Sequence, residues 1–197
     1  YVSESSEKTD VGSCYNPSLE TILGLEPDLI FAWHYAEIST LEESIPIVYL
    51  DPKSIDDTFL TMRMIGLVVG QQEKVEQVIS GIENRIAAIE NKIENLSKEN
   101  RPLVYYELGG VGKTVGQGTF TNEMIFRAGG INIAAEEPPR YPILTQEYII
   151  QRNPDVIVVW SYGADVEEIK NRPGWHEINA VRNNRVFEIE SSWVSCT

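Results

Sequence analysis

The residue types best suited to bind a charged ligand lie in a glycine-rich run, GGVGKT at 109–114, directly after a predicted strand. A phosphate-binding loop of the GxxxxGK type needs glycine where this chain has Glu107, whose carboxylate would repel phosphate. The next residues, VGQG, oppose the helix whose N-terminus would hold the anion. Nucleotide binding is therefore not predicted. Glycine-rich loops at the carboxyl ends of strands are still general ligand sites in α/β folds, so Lys113 is either a contact for an anionic ligand or a solvated surface lysine.

Residues for catalysis or for a bound metal are sparse. The chain has two histidines, His34 and His176, and contains neither a GxSxG nor an HExxH motif. Its two cysteines, Cys14 and Cys196, fit no metal-ligand spacing. His176, in a PGWHEI turn, is interpreted as structural, whereas His34 follows a predicted strand and could also ligate a metal or haem iron. We therefore predict a protein that is not an enzyme, with no catalytic residues, no metal site and no resident cofactor.

Aromatic side chains follow several predicted strands, at the sheet edge where α/β proteins bind ligands. Aromatic rings give broad apolar contact with few rotamers to freeze, which suits a large planar or amphipathic ligand. Trp33 and Trp160 could instead be core residues that close their strands. Arg140 and Lys113 are expected to meet anionic groups of the ligand. The aromatic residues predicted to contact the ligand are Trp33, Tyr35, Tyr141 and Trp193.

An internal repeat places these residues on equivalent elements. Residues 20–33, ETILGLEPDLIFAW, match residues 147–160, EYIIQRNPDVIVVW, at six identical positions without a gap. Each copy has a short helix pattern, a Pro-Asp turn and an apolar run typical of a buried parallel strand. The repeat therefore predicts two related α/β lobes.

One glutamate in each copy occupies the same helical position. Glu20 and Glu147 lie in the first turn of their predicted helices, after the N-cap candidates Ser18 and Thr145. An acid there gains ~0.3–1 kcal/mol from the helix dipole. One exposed acid in each lobe also matches a partner with two equivalent basic sites, such as a two-fold transporter dimer. The two interpretations are compatible, and both are kept.

Further predicted elements extend both lobes. Each copy is followed by a helix and a strand, and the second lobe also has an opening strand and helix that the first lacks. We therefore expect the N-terminal lobe to be incomplete and the chain to be a fragment. The predicted elements are helices near Ile38–Ser44, Asn122–Ala128 and Val166–Asn171 and strands at Ile47–Leu50, Leu103–Leu108 and Val186–Ile189.

A long amphipathic segment separates the two copies. Apolar residues recur at steps of three and four from Gln71 to Ser97, which predicts a helix of ~40 Å. The helix is expected to join the lobes, although three heptads would also suit a coiled coil. The predicted domains are an N-terminal lobe at 1–56, connecting helices at 57–100 and a C-terminal lobe at 101–197. The apolar positions of the segment are Val75, Val78, Ile82, Ile86, Ile89, Ile93 and Leu96.

The composition restricts the partners. With 30 acidic and 16 basic residues the formal net charge is -14, and such a surface repels nucleic acid and anionic lipid. No apolar run approaches the ~20 residues that a membrane span needs. The chain opens abruptly in a polar stretch, YVSESSEKTD, which fits a processed start as well as a cytoplasmic origin.

The ordered series of motifs resembles the helical-backbone class of ABC-importer substrate-binding proteins, which includes the vitamin B12-binding and ferric-siderophore-binding proteins. The resemblance implies two Rossmann-like α/β lobes joined by a single long helix, with the ligand held between them and no chemistry performed on it. It runs from about Val11 to Trp193. The motifs are PSLETILGLEPDLIFAW, the long helix, GQGTFTNEMIFRAGGINIA, LTQEYIIQRNPDVIVVW and RPGWHEINAVRNNRVFEI.

The resemblance also implies roles for individual residues. Glu20 and Glu147 match glutamates that dock onto arginines of a dimeric membrane permease. The implied ligand is an iron-siderophore or a corrinoid, and the aromatic residues slightly favour the corrinoid. The implied location is extracytoplasmic, in the periplasm or at the cell surface, and a lipid anchor outside this chain is compatible with it. The alternative is a metal- or cofactor-binding, enzyme-like protein on a related two-lobed α/β scaffold. Residues at or near ligand positions of the B12-binding member are Tyr15, Trp33, Lys113, Tyr141 and Trp193.

Overall fold

The computed structural model describes residues 8–13, 16–33, 36–161 and 163–190. The chain divides into two compact units, and the division falls between Pro52 and Lys53. The first unit has two small two-stranded sheets and the second has one four-stranded sheet among the described residues, and each unit has its own apolar core. The predicted three-part division at 1–56, 57–100 and 101–197 stays a prediction.

Strands and helices alternate along most of the described chain. The strands are β1 (Gly12–Ser13), β2 (Asn16–Pro17), β3 (Ile30–Ala32), β4 (Ile47–Tyr49), β5 (Leu103–Glu107), β6 (Ile131–Asn132), β7 (Val156–Trp160) and β8 (Val186–Ile189). The helices are α1 (Leu19–Gly24), α2 (Ala36–Ser39), α3 (Ile55–Val68), α4 (Gln72–Ile93), α5 (Phe120–Arg127), α6 (Gln146–Arg152), α7 (Val166–Lys170) and α8 (Asn179–Arg182). Short 3-10 turns occupy Lys98–Asn100 and Trp175–Glu177.

The two copies of the repeat adopt the same local structure. Helices α1 and α6 begin 127 residues apart, as the sequence match requires, and strands β3 and β7 follow them. Both N-caps are confirmed: Ser18 Oγ accepts the Thr21 N–H at 3.3 Å, and Thr145 Oγ1 accepts the Tyr148 N–H at 3.2 Å. In both units the repeat strand pairs in parallel with the next strand of the chain, β3 with β4 and β7 with β8.

Each repeat helix ends at a residue in the left-handed conformation just before the proline. Glu26 and Asn153 occupy equivalent positions and share a φ of 48°. A left-handed residue satisfies the last helical carbonyls, and asparagine tolerates this conformation better than glutamate does.

Glu26→Asn should therefore stabilise the protein by about 0.5–1 kcal/mol, because it removes the strain of a long side chain at positive φ. Urea unfolding of the two proteins measures the difference. Asn153→Glu, the reciprocal change in the second copy, should cost a similar amount, and equal stability of all three proteins would contradict the argument.

The first unit has a small core between short elements. Strands β3 and β4 form a parallel pair, and β1 and β2 form an antiparallel pair. Helix α1 contributes Ile22, and the region around α2 contributes Ile38 and Leu41. These side chains pack against β3 and β4 and fix the helical face that α1 turns towards solvent.

The second unit contains a four-stranded, all-parallel sheet in the order β6-β5-β7-β8 among the described residues. Strands β5 and β7 are central and carry near-continuous apolar sequence, as expected for a parallel sheet covered on both faces. Parallel strands bring their carboxyl ends to one edge, so the loop after β5 lies at the edge where α/β folds bind ligands. The core of this sheet comprises Tyr105, Ile149, Ile157, Val159, Ile169, Trp175 and Ile178, among others.

The long amphipathic helix is shorter than predicted, and its buried face differs from the predicted one at two positions within the helix. Helix α4 ends at Ile93, and its most buried residue is Ile79, which the heptad pattern omitted, whereas the predicted positions Val78 and Ile89 are about half exposed. The reason is that α4 packs at a 3.6-residue period against its neighbours in the second unit. A Cβ on Gly66 of α3 would lie 2.6 Å from Val75 Cγ2, so this glycine allows close approach of the two helices. None of the described helices combines the length and the apolar character that a membrane-spanning helix needs.

Candidate functional site

The glycine-rich run after β5 pairs with the segment 140–144 in the second unit. The pairing is antiparallel and places Lys113 opposite Ile143. Leu144 is buried in the core, so it anchors the segment to the body of the unit. The pairing hydrogen bonds run from Leu144 N–H to Gly112 O (2.9 Å), from Thr114 N–H to Pro142 O (3.1 Å) and from Gly116 N–H to Arg140 O (2.7 Å).

Three of the predicted ligand residues lie on these paired segments. Lys113, Arg140 and Tyr141 are all exposed, and 53% of Tyr141 is accessible to solvent. The Arg140 guanidinium lies 5.8 Å from the centroid of the Tyr141 ring, within range of a cation–π contact. The pair thus offers a flat aromatic surface beside positive charge, which suits an amphipathic ligand with anionic groups.

The other predicted ligand residues are not all described. Trp33 is half-buried in the first unit, directly after β3, as the repeat predicted. Tyr15, Tyr35 and Trp193 lie outside the described residues, as does His34.

Two glycines, Gly112 in the run and Gly116 just after it, serve backbone pairing. Gly112 has a φ of 82°, and a Cβ at this position would collide with the carbonyl oxygen of Leu144. A Cβ on Gly116 would lie 3.0 Å from the carbonyl oxygen of Pro139. The close approach of the two segments therefore explains why glycine is needed at these positions, and a bound phosphate is not needed to explain it.

Glu107, at the end of β5, forms a buried ion pair behind this loop. Both of its carboxylate oxygens accept hydrogen bonds of 2.7 Å from the Arg172 guanidinium, a bidentate geometry. Glu107 is fully buried, and 7% of the Arg172 side chain is exposed. Burial alone would lower the pKa of Arg172, but the hydrogen bonds and charge of Glu107 outweigh it and raise the pKa. Arg172 is thus the partner of Glu107 in the interior, and the sequence interpretation that set Glu107 against a phosphate did not foresee it.

The Tyr105 hydroxyl connects the ion pair to the loop. It donates a hydrogen bond to Glu107 Oε2 at 2.8 Å and accepts the Gly112 N–H at 3.1 Å. Burial, followed by the nearby Glu107 carboxylate, raises the pKa of Tyr105 far above its usual value. The hydroxyl therefore stays protonated, which lets it act as donor and acceptor together.

The two repeat glutamates are exposed on helices whose other faces are buried. Glu20 follows the Ser18 cap on α1, and Glu147 follows the Thr145 cap on α6. The residues on either side of Glu147 hold α6 in place: Tyr148 donates to Glu137 Oε1 at 2.8 Å, and Gln146 Oε1 accepts the Trp175 indole N–H at 3.1 Å. Each unit therefore presents one carboxylate at the first turn of an equivalent helix.

Within the part of the chain that the structure describes, no three histidine, cysteine, aspartate or glutamate side chains gather in a way that could hold a metal ion. The sequence did not reveal the buried network of Tyr105, Glu107 and Arg172 behind the loop. Glu107 and Arg172 are 65 residues apart and share no motif, so the only local signal is a charged residue in the apolar strand LVYYEL.

Comparisons with known proteins identify the family. The sequence profile described as periplasmic binding protein matches residues 1–192. The uncharacterized ABC transporter substrate-binding lipoprotein YvrC of Bacillus subtilis is 28% identical over 99% of this chain, and a cobalamin-binding protein of Halobacterium salinarum is 32% identical over 80% of it. The matched regions cover 64% and 45% of those two proteins, so this chain spans about half to two thirds of their length.

A solved structure agrees with the fold. The periplasmic heme-binding protein RhuT from Roseiflexus sp. RS-1 superposes with a TM-score of 0.81 at 25% identity, covering 96% of this chain and 76% of that protein. The match confirms the predicted fold class, the α/β fold of the helical-backbone binding proteins. Because the profile spans nearly the whole chain and the structure agrees with it, the chain belongs to the periplasmic binding protein family.

Proposed function

We propose that this protein is the extracytoplasmic substrate-binding component of an ABC importer. It captures an iron-siderophore or a corrinoid, performs no chemistry on it, and delivers it to a dimeric permease. The observation that carries this proposal is the cluster of Lys113, Arg140 and Tyr141, exposed on paired segments at the carboxyl edge of the parallel sheet. Family membership supports it, because the relatives are named as substrate-binding and cobalamin-binding proteins and not as enzymes.

The chemistry of the cluster restricts the ligand. Two cationic side chains stand out on a chain whose net charge is -14, so they favour a ligand that carries anionic groups. The Tyr141 ring adds a flat apolar surface, which suits a corrin ring or an aromatic siderophore. The relative from Halobacterium is named for cobalamin and RhuT for heme, and both are large planar metal complexes. The remaining members of the proposed ligand set are Tyr15, Trp33, Tyr35 and Trp193.

A ligand screen tests the proposal. We expect one of cyanocobalamin, cobinamide, haemin or a ferric siderophore to raise the melting temperature, since a ligand at 100 times its Kd stabilises the fold by ~2.7 kcal/mol. Lys113→Ala with Arg140→Ala should weaken binding of that ligand by about tenfold or more, the effect of losing charged hydrogen bonds.

The matched control removes two exposed cations from α4, Arg85→Ala with Lys92→Ala, and should leave affinity unchanged. A screen in which no ligand shifts the melting temperature would refute the ligand assignment. An equal loss of ligand affinity in both double variants would show that Lys113 and Arg140 act only through the overall charge of the protein and do not contact the ligand.

The exposed repeat glutamates form the proposed docking contacts with the permease. Glu20 and Glu147 occupy equivalent positions on α1 and α6, so a permease with two equivalent basic sites could engage one on each unit. Exposed carboxylates that face basic sites raise the rate at which two proteins associate and help to fix their relative register. The proposal places the protein outside the cytoplasm. It also includes attachment to the membrane through a lipid, because the Bacillus relative is named a lipoprotein.

Glu20→Ala with Glu147→Ala should abolish ligand uptake by cells or by permease-containing vesicles while leaving the ligand Kd unchanged, because both side chains point away from the core. Transport assays and equilibrium binding on the same protein separate the two quantities. Glu73→Ala with Glu94→Ala removes one exposed acid from the first turn of α4 and one from the residue after its end, and this variant should transport normally. A rise in Kd in the first variant would instead place these glutamates at the ligand.

A further inference from the structure

A continuous series of contacts runs from the interior of the second unit to the ligand loop. Arg172 holds Glu107 with two hydrogen bonds, Glu107 accepts from the Tyr105 hydroxyl, and that hydroxyl accepts the Gly112 N–H. Gly112 is the residue before Lys113. The series therefore ends one peptide bond from a proposed ligand contact.

The interior end of this series is firmly anchored. The Arg172 guanidinium lies 4.7 Å from the ring of Trp175, which is fully buried, and it also bonds Glu168 at 3.0 Å. The Trp175 ring meets the Tyr105 ring edge-on, with centroids 6.0 Å apart at 66°. Side chains packed on several sides lose their alternative rotamers, so the Tyr105 hydroxyl has a defined position.

Backbone hydrogen bonds hold part of the exterior end: Lys113 N–H donates to Gly110 O at 2.9 Å, and Leu144 N–H donates to Gly112 O at 2.9 Å. The residues before Gly112 are less restricted. The loop contains Gly109 and Gly110, and a Cβ added to either would meet no atom within 4 Å. Open space and glycine both favour conformational freedom. The hydrogen bond from Gly112 N–H to the Tyr105 hydroxyl adds a buried side-chain anchor to these backbone bonds, and it further limits where Lys113 can lie.

We propose that Tyr105 is a positioning residue for ligand capture. Its hydroxyl is held by the Arg172–Glu107 pair, accepts the Gly112 N–H, and so helps to order the Lys113 loop before the ligand binds. The inference rests on the proposed function, because it takes Lys113 as a ligand contact. A loop that is ordered in advance loses less entropy on binding, so the effect appears as affinity.

Tyr105→Phe tests the proposal with the loss of a single oxygen atom. Tyr106→Phe is the matched control, because Tyr106 is the next residue of β5, is also buried, and its hydroxyl makes no hydrogen bond within the described part of the chain. The first measurement is hydrogen exchange of the Gly112 amide by NMR in the ligand-free protein. The amide of Ile157, bonded to Arg185 O inside the sheet, reports whether the fold is intact.

We expect Tyr105→Phe to speed exchange at Gly112 by about tenfold while Ile157 is unchanged, since the amide loses its buried acceptor. Tyr106→Phe should change neither amide. Unchanged exchange at Gly112 in Tyr105→Phe overturns the proposal, and so does equal acceleration in both variants.

The second measurement is the Kd of cyanocobalamin for the full chain. Tyr105→Phe should raise it by about tenfold relative to Tyr106→Phe. A faster Gly112 amide with an unchanged Kd overturns the positioning role. Failure of the unmodified protein to bind cyanocobalamin counts against the corrinoid assignment of the proposed function, and the exchange measurement then decides the role of Tyr105 by itself.

Discussion

Replacing Gly112 with alanine is expected to break the pairing between the ligand loop and the segment 140–144, and with it ligand binding. The added Cβ would collide with the Leu144 carbonyl oxygen, a backbone atom that cannot rotate away, and the φ of 82° is itself unfavourable for alanine. The left-handed conformation alone costs about 1–2 kcal/mol, and the clash adds to it. We expect a clear drop in the melting temperature and a ligand Kd raised by at least about tenfold.

Gly110→Ala provides the control in the same loop. A Cβ there meets nothing within 4 Å, and Gly110 is not among the glycines with positive φ. Its stability and affinity should match those of the unmodified protein. If Gly112→Ala bound ligand and unfolded like Gly110→Ala, the paired segments would not form the site.

Arg172→Met should cause the largest loss of stability, because it leaves the Glu107 carboxylate buried without its partner. Removing one member of a buried ion pair costs about 3–5 kcal/mol, since the remaining charge has lost its compensation. Urea unfolding measured at neutral pH would show this as a lower midpoint. Methionine has a similar length to the arginine stem, so the lost charge and hydrogen bonds dominate over lost packing.

Two further proteins make this result specific. Arg152→Met removes an exposed arginine from α6 and should change stability by less than about 0.5 kcal/mol. Combining Arg172→Met with Glu107→Gln removes the unpaired charge and should recover part of the loss. A double variant that is no more stable than Arg172→Met would show that the arginine contributes through packing and not through the pair.

The buried pair also explains why a run that looks like a nucleotide loop takes another role. The carboxylate that argued against phosphate is directed into the core, where Arg172 and Tyr105 satisfy it. Gly112, one of the glycines that suggested a phosphate cradle, instead lets two backbone segments meet. The loop thus exposes the Lys113 side chain to solvent, while the Tyr105 hydroxyl binds its backbone from the interior.

The local structure of the repeat could be read from its residues. The proline after the left-handed residue stops the helix, the Ser18 and Thr145 hydroxyls cap it, and the apolar run after the Pro-Asp turn forms a parallel strand in both copies. The last strand was predicted at Val186–Ile189 and occurs there. These features depend on contacts among residues within about one turn, which short stretches of sequence encode.

The helical stripe shows where such reasoning stops. A heptad pattern selected Val78, but the residue that packs inside is Ile79, because α4 packs against α3 and α5 of the second unit. Apolar spacing identifies an amphipathic helix. Which apolar residues become buried depends on the surface that the helix meets.

By itself, the sequence determined the duplicated helix–turn–strand unit and the place of Glu20 and Glu147 in the first turns of capped helices. It also determined which polar and aromatic groups Lys113, Arg140 and Tyr141 offer at the surface. Only the tertiary structure decided that Lys113 lies on a segment paired with that of Tyr141, and that Glu107 meets Arg172 across 65 residues. The physical reason is range: caps, turns and periodicity act between near neighbours, whereas ion pairs and segment pairings form between residues that only the completed sheet brings together.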